Sequence, residues 1–291
     1  MSGLVLILIT GVGLGALYFL VASGLSLIYG LMHVLNFAHG AFLTLSAFVG
    51  WSVASAIGAT TWSGFLISVV VGAVVGAVFA ALTELVLIRP LYERHIEQVL
   101  VTVGLSFAAI ALFEGIWGTD PIHITGPGWL TQTTDVLGAS IPNKYWVLIL
   151  AAALVLAGLV LFLQKTRYGM IIRAGVENRE MVEALGFRID RLFIGVFMAG
   201  SALAAMGGAM WAGYQGLITP ALGSELMVMV FIVVIIGGLG SIQGSLLGAL
   251  MVGLTTNYVA FLFPKLSLAS NMLLMMAILL WRPNGLRPAI K

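Results

Sequence analysis

The 291-residue chain is 61% hydrophobic and 8% charged, with no cysteine and a mean hydropathy of +1.13, where an ordinary soluble domain carries about 25% charged residues. This excludes a water-soluble globular protein, and the lack of Cys excludes a disulfide framework, a thiolate zinc site and covalently attached haem. Thirteen basic against eleven acidic groups leave a net charge of +2; no nucleic-acid surface is implied, and the position of each charge carries more information than the sum.

From Met1-Ser2-Gly3-Leu4 the chain runs straight into apolar sequence, with no Lys or Arg before Arg89. A cleavable signal peptide needs a basic n-region, so the start reads as a first membrane span. Crossing about 30 Å of hydrocarbon takes about 20 apolar residues, and nine nearly uncharged runs are candidates: 4–31, 34–57, 62–88, 99–118, 145–163, 192–213, 226–240, 243–263 and 268–281. The runs 226–240 and 268–281 are short, and 4–31 is long and interrupted by Gly11, Gly13, Gly15, Gly24 and Gly30, so each of these could be broken or re-entrant. The expected fold is an all-α polytopic transmembrane helical bundle of eight to ten spans. Its 36 glycines fit that fold, because small residues let helices approach closely in lipid, where no hydrophobic gain drives their association.

Basic residues set the sidedness. Arg89 and Arg94 share one segment; Lys165, Arg167, Arg173, Arg179, Arg188 and Arg191 share a second; Arg282, Arg287 and Lys291 share the tail. These three segments are expected in the cytoplasm. The segments 119–144 and 264–267, each with a single Lys, alternate with them, and nine crossings then put the N-terminus outside and the C-terminus inside. If run 4–31 were two spans, the N-terminus would flip inward. With no Gly/Ser-rich or Pro-rich linker, residues 1–291 read as one membrane domain with a cytoplasmic loop at 164–191 and an external loop at 119–144. The external loop is either a solvated connector or a docking site for an external partner.

An ion-coupled carrier is expected to hold acidic or His residues deep in its spans, and here they are scarce. Glu84 lies four residues, about 6 Å, from the cytoplasmic end of its run, and Glu114 and Glu225 lie near outer ends. All three read as interfacial groups, Glu84 being able to snorkel. The chain has no GxxxxGK[ST], HExxH or GxSxG motif. A solute path without buried charge suits a passive channel, or a carrier driven by a separate energy-supplying protein.

The loop at 164–191 separates these two. Its segment Arg173-Ala174-Gly175-Val176-Glu177-Asn178-Arg179-Glu180-Met181-Val182-Glu183-Ala184-Leu185-Gly186 has helix formers in its middle and a Gly stop at its end. Glu177, Glu180 and Glu183 recur on one side and Met181, Val182 and Leu185 fall largely on another, which predicts a short amphipathic helix outside the lipid. Three acidic groups are poorly placed against an anionic leaflet, so the expected contact is a protein.

The run from Arg173 through Gly186 to Asp190-Arg191, followed by a span with Gly200, Ala204, Gly207 and Gly208, resembles the coupling segment of the permease subunits of branched-chain amino acid ABC importers. Asn36-Phe37-Ala38-His39-Gly40 and Gly237-Gly238-Leu239-Gly240-Ser241-Ile242-Gln243-Gly244 are similar to two further hallmarks of that family, and the resemblance covers residues 4 to 288. The length is similar to the shorter, LivH-like type. The resemblance implies a chain of the bacterial or archaeal cytoplasmic membrane, paired with a longer LivM-like permease, two ATPase subunits that carry ATP and Mg, and an extracytoplasmic binding protein. It implies no cofactor on this chain. It also assigns ATPase coupling to Arg173, Glu177, Asn178, Glu183, Leu185 and Gly186.

For the substrate path the residues of interest are Asn36, His39, Gly40, Gly240, Gln243 and Gly244. Asn36 and His39 lie three apart, offer neutral donors and acceptors, and are too few for a metal site; a structural His is the commoner case. Gly240, Gly244 and Gly248 form one helical stripe, open between helix packing and path lining, whereas Gly72 and Gly76 read as packing. His39-Gly40-Ala41-Phe42-Leu43 weakly echoes Gln243-Gly244-Ser245-Leu246-Leu247, and Gly216-Leu217-Ile218-Thr219-Pro220 is placed to border an outer mouth. Trp62, Trp117, Tyr145, Trp146 and Trp281 read as interfacial anchors. The expected function is a permease for branched-chain or related small amino acids, the alternatives being urea or short amides in the same family, or a passive channel.

Overall fold

The computed structural model describes residues 2–58, 60–92, 94–177 and 179–287. Its helices are α1 (Ser2–Met32), α2 (His39–Ile57), α3 (Trp62–Thr83), α4 (His95–Trp117), α5 (Lys144–Lys165), α6 (Arg167–Glu177), α7 (Arg179–Ala184), α8 (Ile189–Gln215), α9 (Leu222–Gly237), α10 (Ile242–Leu262) and α11 (Ser267–Trp281). Every apolar run of the sequence contains a helix, though 34–57 is helical only from His39 and 226–240 only to Gly237. Among the described residues seven helices are long and apolar enough to cross a membrane, the third continuing past α3 to Leu91. The two short runs are α9, of 16 residues, and α11, of 15. The first run is a single unbroken helix of 31 residues, so its glycines do not divide it.

Those glycines instead bring neighbours close. Every residue of α1 from Gly13 to Ile28 is buried, the pattern of a helix apolar all round and enclosed by others. Gly15 lies against the backbone of Ala249 and Leu250 in α10, Gly24 against Gly200 in α8, and Gly30 against Gly240 before α10. Gly72 and Gly76 of α3 pack against Ser46 and Ala205 as expected. On the outside of the bundle α3, α4 and α5 turn Leu66, Val70, Val74, Leu100, Phe107, Leu150 and Leu154 outward, which is stable only where the solvent is hydrocarbon.

Two helices begin inside the bundle. After Met32 the chain is non-helical until His39, where the His39 ring nitrogen Nε2 lies 3.4 Å from the Val21 carbonyl of α1. Backbone groups of this break are satisfied by side chains, as they must be away from water: Phe37 N donates to Thr102 Oγ1 at 3.3 Å and Ala38 N to Asn36 Oδ1 at 3.0 Å. The start of α9 abuts that of α2, with Gly223 against the Gly40 carbonyl. From there α9 runs to Gly237, which rests on Gly244 of α10.

Among the described residues the little sheet there is lies in the loop 119–144 and just after α8. β1 (Ile122–His123), β2 (Thr133–Val136), β3 (Ala139–Pro142) and β4 (Leu217–Ile218) form two antiparallel ladders, β1 with β4 and β2 with β3. The β2–β3 turn places Leu137 at φ 52° and Gly138 at φ 78°, the left-handed pair a tight hairpin needs. The β1–β4 ladder ties residues 122–123 to the segment after α8.

A Cβ at Gly223 would overlap the Gly40 carbonyl oxygen, whereas one at Gly104, on the outer side of α4, would meet nothing. Gly223→Ala is therefore expected to destabilise by about 1–3 kcal/mol or more, read as a lowered melting temperature of the detergent-solubilised chain. Gly104→Ala should leave it unchanged or slightly higher.

Candidate functional site

The helix ends sort the charges as the sequence anticipates. Arg173 and Arg287 lie around one cavity with Gly30 and His33 at the end of α1, and Arg89 pairs with Asp190 at the start of α8. The opposite end carries the two strand ladders and Lys144, which donates to the Tyr214 carbonyl at 3.1 Å. By the positive-inside rule the first end is cytoplasmic.

Four of the twelve residues singled out in the sequence meet at that end. A cavity of about 570 Å³ is lined by Gly240 and Gln243 from the turn into α10, by Arg173 and Glu177 of α6, and by His33 and Arg287. Residues expected on a substrate path and residues expected to couple to an ATPase thus share one polar vestibule. Arg287 N donates to the Gly237 carbonyl at 3.0 Å and Leu286 N to that of Ile236 at 2.9 Å, so the tail before residue 288 pins the end of α9 beside this vestibule.

The other path residues lie deeper or are packed. Asn36 and His39 are fully buried, and Asn36 Nδ2 and His39 Nδ1 have no hydrogen-bond partner among the described residues. Gly40 lies against Gly223, and Thr44 locks that contact, donating to the Gly40 carbonyl at 3.2 Å and accepting from Gly223 N at 2.8 Å. Gly244 packs on Gly237 and Gly248 on the Val233 carbonyl, so in the stripe they form with Gly240 only Gly240 reaches the vestibule. Gly40 and Gly244 meet opposite ends of α9, a physical counterpart to the echo between their two sequences.

The coupling segment is helical on both sides of Asn178, which lies outside the described residues. α6 starts earlier than expected because Thr166 caps it, its hydroxyl accepting from Gly169 N at 3.0 Å, while Gly169 sits on the carbonyls of Phe162 and Leu163 at the end of α5. It is described as far as Glu177, and α7 from Arg179 to Ala184. The stop at Gly186 is as read, with φ 88° and its N–H donating to the Glu183 carbonyl at 2.9 Å. Glu183 and Leu185 sit on the exposed side, where Leu185 is 70% and Met181 61% exposed. α6 packs Gly175 against Ile189 of α8.

Glu84 departs from its expected place. It is buried rather than snorkelling, in a π-helical stretch from Glu84 to Ile88 that continues as a 3₁₀ turn over Arg89–Leu91. Tyr92 donates to Glu84 Oε1, and burial pushes the Tyr92 hydroxyl above its ordinary range, so it stays a donor at any working pH. Nothing in the sequence flagged this pair, because a π turn followed by a 3₁₀ turn breaks the helical spacing that relates residue 84 to residue 92. Tyr92→Phe leaves the buried Glu84 carboxyl without its donor and is expected to cost about 1–3 kcal/mol, measured as a drop in thermal stability in detergent.

The geometry is that of a membrane bundle with a polar mouth, two helices that start inside it and a helical segment over 167–184 beyond the spans. Comparison with known proteins agrees. The family model described as the permease component of branched-chain amino acid transport systems matches residues 7–281. The chain is 27% identical to the high-affinity branched-chain amino acid transport system permease protein LivH of Escherichia coli, over 97% of this chain and 95% of that one. It is 26% identical to the corresponding permease protein BraD of Pseudomonas aeruginosa, over 98% and 96%. With a probable LivH permease of Methanocaldococcus jannaschii it shares 27% over 92% and 87%. No solved structure matches. A multi-pass protein of the inner membrane, this chain belongs to the family of branched-chain amino acid transport system permease components.

Proposed function

We propose that this chain is one of two membrane subunits of an ATP-driven importer, moving a branched-chain or related small amino acid delivered by an extracytoplasmic binding protein. ATP and Mg belong to two partner ATPase subunits, and the second membrane subunit is of the longer, LivM-like type. The reading is carried by the vestibule, because Arg173 and Glu177 on α6 and Gly240 and Gln243 before α10 line the same space. A push on α6 there reshapes the inner mouth directly.

The mechanical route follows from the contacts. α7 offers Met181 and Leu185 outside the spans, where exposed apolar side chains favour contact with a protein surface. Movement of α6 and α7 passes through Gly175 and Ile189 into α8, whose Gly200 bears on Gly24 of α1, next to the His39 ring. Packed backbones of this kind shift between discrete arrangements rather than deform continuously. A zwitterion crossing the bundle needs its carboxylate and ammonium satisfied. The abutting N-termini of α2 and α9 supply partial positive charge at depth, and Asn36 and His39 hold unused hydrogen-bonding capacity beside them.

The test is uptake of radiolabelled leucine into vesicles containing the assembled importer and binding protein, with ATP hydrolysis measured in parallel. Leu185→Asp and Gly186→Val change exposed positions just after α7, outside the spans, so the bundle should melt unchanged even though Val strains the local stop at Gly186. Uptake is expected to fall at least about tenfold, a loss of about 1.4 kcal/mol of coupling, while hydrolysis continues. Uptake and hydrolysis that stay coupled in both variants would count against this role for α7, and leucine flux through the chain alone without ATP would indicate a passive channel.

A further inference from the structure

We propose that the groove between α1, α5 and α8 is a binding site for one anionic phospholipid of the cytoplasmic leaflet, its acyl chain in the groove and its phosphate at Arg191. The groove is a cavity of about 540 Å³ whose walls are almost wholly apolar, including Leu27, Leu159, Val196 and Leu203, with Tyr168 and Arg191 at its cytoplasmic end. Beyond its outer end α5 and α8 are joined. There Lys144 Nζ donates to the Tyr214 carbonyl at 3.1 Å, and the Tyr145 and Tyr214 rings lie 5.8 Å apart. Within the groove Gly158 of α5 and Gly195 of α8 leave space, and a Cβ built on either meets nothing within 4 Å.

Length and charge select the occupant. From Arg191 to Leu203 the groove follows α8 for 12 residues, about 18 Å at helical rise, and one leaflet of hydrocarbon is about 15 Å deep. A transmembrane helix of another subunit would need a trough of twice that length, and an amino acid would find almost no polar wall. A single acyl chain fits both requirements. The cationic end then sits at headgroup depth, where each Lys or Arg attracts an anionic lipid about fivefold. Tyr168 and Ile172 belong to α6, so an occupying lipid touches the helix that also lines the vestibule.

The experiment is native mass spectrometry of the full chain, purified in mild detergent with whatever subunits accompany it, delipidated, then exposed to phosphatidylglycerol or phosphatidylcholine. The expected result is one retained phosphatidylglycerol per chain. The double variant Gly158→Leu with Gly195→Leu fills open space and replaces Gly by a better helix former, so it should melt at or above the wild-type temperature while losing the lipid at least tenfold. Arg191→Gln should weaken phosphatidylglycerol about fivefold and leave phosphatidylcholine unchanged. Equal lipid retention in the filled-groove variant, or equal binding of the two lipids unaffected by Arg191→Gln, would overturn the proposal. The chain has no native Cys, so Ala199→Cys places a single thiol in the groove; its cross-linking to an accompanying membrane subunit would overturn the proposal by showing that protein covers the groove.

Discussion

Backbone contact at glycine is the constraint on which the rest of this bundle depends. In hydrocarbon, burying one apolar side chain against another gains little over burying it in lipid, so the stabilisation must come from close dispersion contact and satisfied polar groups. α1 is surrounded on that basis, with Gly15, Gly24 and Gly30 each meeting another backbone. The same closeness makes the two interior helix starts possible. Gly40 and Gly223 let α2 and α9 abut, and Thr44, Thr102 and Asn36 serve the backbone groups exposed by the break.

The proposed function rests on how that tight centre connects to the end that carries α6 and α7. Around Gly24, Gly200 and His39 almost nothing can move without several backbones moving together. At the rim, α6 lies between a polar vestibule and an apolar groove and leads directly to the exposed α7. An arrangement with a stiff interior and a lever outside the membrane suits a subunit whose energy is supplied by another protein. The ion pair of Arg89 with Asp190 fastens the end of the third span to the start of α8, so both spans share the same anchor at the base of the lever.

Much of this was legible in the residues and some was not, for physical reasons. Apolar runs and clustered Arg residues identify helices and sidedness because lipid imposes length and charge rules on each segment separately. All nine runs were found that way, as was the stop at Gly186, which depends only on local backbone conformation. The early start of α6 at Arg167 was not, since Thr166 caps it from outside the stretch whose periodicity was read. Glu84 looked interfacial by its distance from the span end, yet its burial is set by a π turn and by Tyr92. Whether Gly240, Gly244 and Gly248 packed or lined a path could not be read from their stripe, because the answer lies in α9 and the C-terminal tail, which supply the opposing backbone.

The central claim is that this chain works as a component driven by partners, and its most direct test is gentle solubilisation of native membranes, capture of this chain and identification of what accompanies it. The account predicts recovery of a nucleotide-binding ATPase together with a second, longer permease. A chain recovered alone that still conducts solute without ATP would contradict it.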